Sequence, residues 1–230
     1  MNRSVSIVVP AYNEETKLAP TVDFVLAGFN KNGISDFEIL IFDDASTDKT
    51  GEVADNLAKH YPHMRVIHHP RNMGYGATLR EGFLNARYDY VMYTDGDNQY
   101  DVREFGPYLH LLEKADVLSG YAKNKVVTAR RKLQSLVYNL LIRLLFLVNI
   151  RDIDCAMKIY KKKSLDSMLI KSTSAFIDAE MLIKAKKGGF KIAQFPVTQY
   201  TRKSGSEGGS KWSVVWPTVK DAFKFRLGLH

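Results

Sequence analysis

The first 120 residues alternate short, almost wholly apolar runs with segments of helical periodicity, and this alternation constrains the fold more than any other feature. Ser4–Val9, Phe37–Phe42, Arg65–His68, Tyr90–Thr94 and Asp116–Ser119 read as strands. Between them, Glu14–Asn30, Asp48–His60, Ala77–Ala86 and Val102–Glu113 have the spacing of amphipathic helices. Strands such as SIVV and FEILIF carry little polar alternation, so both of their faces must be buried. That pattern belongs to an α/β fold, a parallel sheet with crossover helices. Ligands of such sheets bind outside the carboxyl ends of the strands. Three polar, acid-containing turns fall there: Pro10-Ala11-Tyr12-Asn13-Glu14, Asp43-Asp44-Ala45-Ser46 and Asp95-Gly96-Asp97.

The last of these turns lies in YVMYTDGDNQYD, Tyr90 to Asp101. Alternate side chains of an extended segment share a face, so Asp95 and Asp97 can point to the same side. Gly96 lets the backbone approach a ligand closely. Two adjacent carboxylates repel unless a cation lies between them, and a hard divalent ion bound together with substrate phosphates removes that difficulty. Aspartates capping the next helix would also fit DGD, but the two companion turns favour the metal. Ser46 fits a helix cap, whereas Asp43 at a strand end is placed to meet a ribose or a base edge. Arg71-Asn72-Met73-Gly74-Tyr75-Gly76 contains GxG before a helix, but Leu79 stands where a dinucleotide fingerprint needs its third glycine. The loop GSEGGSK is no P-loop, because Ser210 rather than glycine precedes its lysine. The six histidines show no zinc-ligand spacing and no GxSxG nucleophile elbow is present.

The chain has 230 residues, enough for one generous domain, and its one cysteine, Cys155, excludes an internal disulfide framework. Its opening apolar run is too short for a signal-peptide core, so no secretion signal is read. Net charge is +8, which suits anionic partners, and the basic residues gather after residue 120. There the pattern changes. QSLVYNLLIRLLFLVNI, Gln134 to Ile150, is strongly apolar but holds Asn139 and Arg143. It falls short of the roughly 20 apolar residues of a membrane span and follows Arg130-Arg131-Lys132. A buried core helix and an amphipathic helix lying at a membrane surface both fit it. Asp154–Tyr160 and Lys191–Phe195 are read as later strands, with a helix around Ala179–Lys187 between them.

Taken together, SIVVPAYNEE, IFDDASTDKT, RNMGYGATLREGF and YTDGDNQYD resemble the inverting family 2 glycosyltransferases with a GT-A fold. The closest resemblance is to their dolichol-phosphate mannose synthase and polyprenyl-phosphate glycosyltransferase branch. RDIDCAMKIYKKK and FIDAEMLIKAKKGGFKIAQFPV extend the likeness, which covers about residues 4 to 212. It implies a single GT-A domain over 1–230, with a nucleotide-sugar half at 1–120 and an acceptor-side half at 121–230. By the resemblance, Pro10, Tyr12, Glu14, Asp43 and Asp95 bind the nucleotide, with Asp44 supporting that turn. Asp95, Asp97 and Gln99 hold Mg²⁺ or Mn²⁺, and Asp97, Arg131 and Asp178 are the catalytic candidates. Arg130, Arg202 and Lys211 meet donor or acceptor phosphates, while Asp152, Asp154 and Glu180 lie on the acceptor side. Two departures stand out: Cys155-Ala156-Met157 replaces a Thr/Ser-Gly-aromatic run, and the QxxRW signature of processive synthases is absent.

The expected partners are a nucleotide-diphosphate sugar (GDP-mannose or a UDP-hexose), a polyprenyl phosphate and a membrane surface, with no nucleic acid. A phosphate acceptor is already largely dianionic near neutral pH and needs positioning rather than a base. A glycan hydroxyl would instead require a carboxylate such as Asp178 or Asp154. The expected location is the cytoplasm, peripheral at the cytoplasmic face of a membrane. The rivals are a nucleotidyltransferase, which would show a glycine-rich basic loop after the first strand, and a basic membrane-surface binding module. The module leaves the three acidic turns unexplained.

Overall fold

The computed structural model describes residues 4–94, 99–200 and 212–229. Asp95, Asp97, Arg202 and Lys211 lie outside the described residues. One seven-stranded sheet organises the chain, in the order β3-β2-β1-β4-β6-β5-β7. The strands are β1 (Ser4–Ala11), β2 (Asp36–Asp43), β3 (Met64–His68), β4 (Tyr90–Tyr93), β5 (Val117–Ala122), β6 (Lys158–Lys161) and β7 (Ile192–Val197). The helices are α1 (Leu18–Lys31), α2 (Thr50–His60), α3 (Tyr75–Asn85), α4 (Ala129–Phe146), α5 (Lys162–Asp166), α6 (Ile177–Lys187) and α7 (Trp212–Arg226). Strands β1 to β4 are mutually parallel, β6 runs antiparallel to both β4 and β5, and β7 is parallel to β5.

The apolar character of β1 and β2 follows from a core on each face of the sheet. Ile7, Val9, Ile39 and Ile41 join one buried cluster with Leu18, Val22, Val25 and Phe29 of α1. The alternate residues Val8, Leu40 and Phe42 join the other, with Leu79 and Phe83 of α3 and Ile177, Met181 and Leu182 of α6. Period-2 alternation then separates the two cores rather than core from water. Gly82 of α3 sits against Val8, whose Cγ1 would lie 2.3 Å from an added Cβ. Helix and strand approach closely because that side chain is missing.

Several elements differ from the sequence expectations, each for a local reason. Residues 102–113 form two 3-10 segments, Val102–Glu104 and Gly106–Glu113, instead of one helix. Gly106-Pro107 interrupts the backbone ladder, since proline has no N–H to give. The strand expected from Asp154 begins only at Lys158. Before it, the side chain of Asn139 accepts the Ile153 N–H at 2.8 Å and Lys158 Nζ donates to the Ile153 carbonyl at 3.0 Å, so the chain turns there around side chains before it joins the sheet. The apolar run to Ile150 stops being helical at Phe146, where Leu147 adopts a left-handed backbone (φ 54°). Helix α7 lies beyond the strands read from sequence. It is held by a ring contact of 5.7 Å between Phe225 and Phe146 and by Ser174 Oγ donating to Asp221 at 2.7 Å. No helix of the described residues is long and apolar enough to cross a membrane.

Candidate active site

The chain steps outward from β1 to β2 and β3, then returns to place β4 on the other side of β1. The reversal opens a crevice outside the carboxyl ends of β1 and β4, the position where open α/β sheets bind ligands. The described turns after β1, β2 and β3 share this rim with Thr94, which follows β4.

The first two turns are tied together. Asn13, with a left-handed backbone (φ 54°), receives the Thr47 N–H on its Oδ1 at 2.8 Å, and its own N–H reaches Ser46 Oγ at 3.0 Å. Glu14 N–H donates to Thr50 Oγ1 at 2.8 Å. Tyr12 stands half-exposed above them, and Pro10 pairs with Phe42 within the sheet. The Asp43 carboxylate accepts the Ser46 N–H at 3.1 Å and lies 3.0 Å from His68 Nδ1. Burial by itself would raise its pKa, but hydrogen bonds from Ser46 and His68 outweigh it and hold the carboxyl below its usual range. His68 bridges onward to Asp55 at 3.1 Å. Its bond to Asp43 and its contact with Asp55 raise its pKa more than partial burial lowers it.

Asp44 does different work. Its two buried oxygens accept Met73 N–H at 2.7 Å and Gly74 N–H at 2.9 Å, and His69 Nδ1 lies 2.6 Å away. It therefore shapes the loop entering α3. The glycines of that loop have their own reasons: Gly74 has φ +84°, and a Cβ on Gly76 would meet Ser174 O at 2.3 Å. The GxG serves close packing against residues 173–174.

Across the crevice, Lys158 is fully buried and pairs in register with Tyr93, the last residue of β4. Its ammonium donates to Tyr93 Oη at 2.9 Å, Asp178 Oδ1 at 3.0 Å and Ile153 O at 3.0 Å. Tyr93 Oη in turn donates to Asp178. One lysine thus joins the end of β4, the start of α6 and the segment before β6. Sequence reasoning passed over Lys158, although a lysine in the apolar run CAMKIY was the available signal.

Asp154 is reached by solvent yet has protein packed densely around it. It accepts Ser135 Oγ at 2.8 Å and Asn139 Nδ2 at 3.2 Å, both from α4. That enclosure, reinforced by the charge of Asp152, pushes its pKa up to about 6. Asp152 is engaged with Lys125 Nζ at 2.9 Å and Ala122 N–H at 3.3 Å. The Tyr138 hydroxyl, also from α4, is buried and has no hydrogen-bond partner among the described residues. Glu180 joins a separate set: its oxygens accept Lys171 and Ser172 N–H at 2.9 and 2.7 Å, and Lys184 lies 2.7 Å away. It anchors the loop before α6 and is not grouped with Asp178. Arg130 and Arg131 occupy the first turn of α4, where Thr128 Oγ1 accepts the Arg131 N–H at 3.3 Å.

For a metal, the donor chemistry is the available test. Asp95 and Asp97 lie outside the described residues; as residue types their carboxylates are the hard oxygen donors that Mg²⁺ or Mn²⁺ takes, and Gln99 resumes the described chain. Among the described residues no group of three or more His, Cys, Asp or Glu could hold an ion.

Known proteins agree with this architecture. The chain is 32% identical over 212 residues to dolichyl-phosphate beta-glucosyltransferase ALG5A of Trichomonas vaginalis, covering 84% of this chain and 64% of that protein. It is 31% identical over 202 residues to glycosyltransferase AglD of Haloferax volcanii, covering 84% of this chain and 32% of that protein. The chain thus spans 32% to 64% of the length of these relatives. Glucosyl-3-phosphoglycerate synthase from Mycobacterium tuberculosis, solved with Mn²⁺, UDP and glucosyl-3-phosphoglycerate, superposes with a TM-score of 0.72 at 19% identity, covering 99% of this chain and 81% of that one. S. aureus TarS 1-349 with UDP-GlcNAc gives 0.64 at 18%, covering 91% and 61%. These structures share the GT-A fold. The model of the family Glycosyl transferase family 2 matches residues 6–169, and the chain belongs to that family.

Proposed function

We propose that the protein transfers a sugar from a nucleotide-diphosphate sugar to a polyprenyl phosphate, with inversion at the anomeric carbon. The supporting observation is the convergence of two differently built halves on one crevice. Residues 1–120 contribute the described turns after β1, β2 and β3 together with Thr94; residues 121–230 contribute Asp154, Asp178 and the inner face of α4. On this reading Pro10, Tyr12, Glu14 and Asp43 hold the nucleoside, and Asp95, Asp97 and Gln99 hold a divalent cation. Such a cation supplies charge compensation for the departing diphosphate. Arg130, Arg131, Arg202 and Lys211 add positive charge around donor and acceptor phosphates.

The acceptor attacks from the face opposite the diphosphate. A phosphate acceptor already carries its charge, so the task of Asp178, fixed by Lys158 and Tyr93, is to order the acceptor side. The names of the relatives bring glucose and dolichyl phosphate forward, making UDP-glucose the first donor to try and GDP-mannose the second. The acceptor lipid places the work at a membrane surface.

A second reading is transfer to a sugar hydroxyl, favoured by Asp154. A carboxylate poised at about 6 is better matched to take a proton near neutral pH than an ordinary one. The deciding assay offers labelled UDP-glucose, UDP-N-acetylglucosamine and GDP-mannose, with Mn²⁺ or Mg²⁺ or with EDTA, to a short polyprenyl phosphate and separately to a soluble glycan. Metal-dependent label in the lipid is the expected result. Label in the glycan alone would replace it with the second reading, and no transfer from any donor would refute both.

A further inference from the structure

Helix α4 packs Ile142, Tyr138 and Phe146 against the core, yet it also carries a long apolar stripe on its exposed side. A surface helix normally turns its apolar stripe to the core and its polar face to water. Here the polar side chains Ser135 and Asn139 face inward, bonded to Asp154 and Ile153. Arg143, in the last turn of the helix, folds back to donate to Ile150 O at 2.6 Å and Arg151 O at 2.7 Å. The outer face carries Leu133, Leu136, Val137, Leu140 and Leu144, each between 53% and 67% exposed. Spacings of three and four residues put them in one stripe, which Leu147 extends at 84%.

Contiguous exposed apolar surface of this kind marks a docking site, and its surroundings indicate the occupant. Arg130 and Lys132 are exposed at the amino end of the stripe. Neighbouring α7 exposes Trp216 and Phe223 together with Lys220, Lys224 and Arg226. Apolar side chains bordered by cations complement acyl chains beneath anionic headgroups. A second copy of the same face is a poorer match, because the chain carries a net charge of +8 and its basic margins would repel. With 18 residues, and its inner face fixed to the sheet domain, α4 can lie on a bilayer but not cross it.

We propose that the outer face of α4, with the adjoining exposed side of α7, is the surface by which this protein docks on an anionic lipid bilayer. Docking in this pose lays the helix that touches Asp154 along the lipid boundary. The inference deepens the proposed function and rests on it for the biological reason to visit a membrane, but the geometry of α4 stands independently.

The test is co-sedimentation of the full chain with vesicles of phosphatidylcholine alone and with about one third phosphatidylglycerol, without donor or acceptor. The protein is expected to bind the anionic vesicles more tightly, and Leu136→Gln with Leu140→Gln to weaken that binding by roughly tenfold or more. Both sites are solvent-exposed, so thermal unfolding of this variant should match the parent. Lys132→Glu should weaken binding to the anionic vesicles only. Absence of vesicle binding, unchanged binding by the double variant, or a parent that is dimeric in solution and becomes monomeric on the double substitution would each overturn the proposal. Transfer to a short, water-soluble acceptor is assayed separately. Transfer without vesicle binding removes the docking face alone, and vesicle binding without transfer removes the proposed function alone.

Discussion

Lys158 concentrates more structural consequence than any other single side chain on the acceptor side. Its ammonium is withdrawn wholly from water and compensated by Asp178, Tyr93 and backbone carbonyls. Removing one member of a buried pair strands the other charge, at about 3–5 kcal/mol. Lys158→Met is therefore expected to lower the free energy of urea unfolding by about that amount, and Lys158→Met with Asp178→Leu to recover part of the loss. A single variant as stable as the parent would show that the pair does not hold the site. His68 acts in the opposite regime, exposed and worth under about 1 kcal/mol. Its pKa is raised in the folded protein, so its contribution is fully present below the unfolded value of about 6.5 and is lost as pH rises through the raised value. Asp43, lowered, contributes above about 3.9 and loses its contribution as pH falls through its folded value. Between about pH 6 and pH 8 the urea midpoint of the parent should fall relative to that of His68→Ala. Parallel curves for the two proteins would exclude the Asp43–His68 coupling.

Among the elements, the loop into α3 explains a motif that sequence alone leaves ambiguous. GxG there reads as a broken dinucleotide fingerprint, whereas Gly76 is small because residues 173–174, almost a hundred positions away, press on it. Gly76→Ala would force a Cβ to 2.3 Å from Ser174 O, a backbone atom without the freedom of a side chain to swing aside. The expected cost is about 1–3 kcal/mol, read as a lowered urea midpoint; an unchanged midpoint would mean that the two loops separate readily. The parallel strands were legible in the sequence because their apolar runs report burial on both faces. The position of Asp43 and Asp44 at the end of β2 was legible because the apolar run FEILIF stops directly before them. Lys158 was not, since an isolated lysine in a strand carries no periodic signal and its partners come from β4 and α6. The exposed apolar stripe of α4 was hidden for a related reason. Periodicity locates an apolar stripe but does not say which side faces the domain, and here Asp154 and the Ile153 amide claim the polar side. The 3-10 segments at 102–113 share the spacing of a helix, and only Gly106-Pro107 warned otherwise.

For the molecule as a whole, the sheet reversal between β1 and β4 brings both walls of the crevice into one cooperative unit, because β4 also pairs with β6 from the second half. A ligand held there should stabilise the entire fold rather than one lobe. A nucleoside diphosphate present at about a hundred times its dissociation constant adds about 2.7 kcal/mol. For a domain of this size each kcal/mol moves the midpoint by about 2–4 °C, so a rise in Tm of about 5–11 °C is expected with Mn²⁺ present. Comparing UDP with GDP at equal concentration reads the base preference directly. EDTA should remove most of the shift, because diphosphate and carboxylates then repel across the rim. Asp97→Asn should do the same while leaving the ligand-free Tm near that of the parent, and Asp43→Asn should reduce the shift whether or not metal is present. A single transition that moves with nucleotide and metal together would fit one unit closed around one site. No shift with either nucleotide would separate the crevice from nucleotide binding, and a shift indifferent to EDTA would take the metal away from Asp95 and Asp97 while keeping the nucleotide pocket.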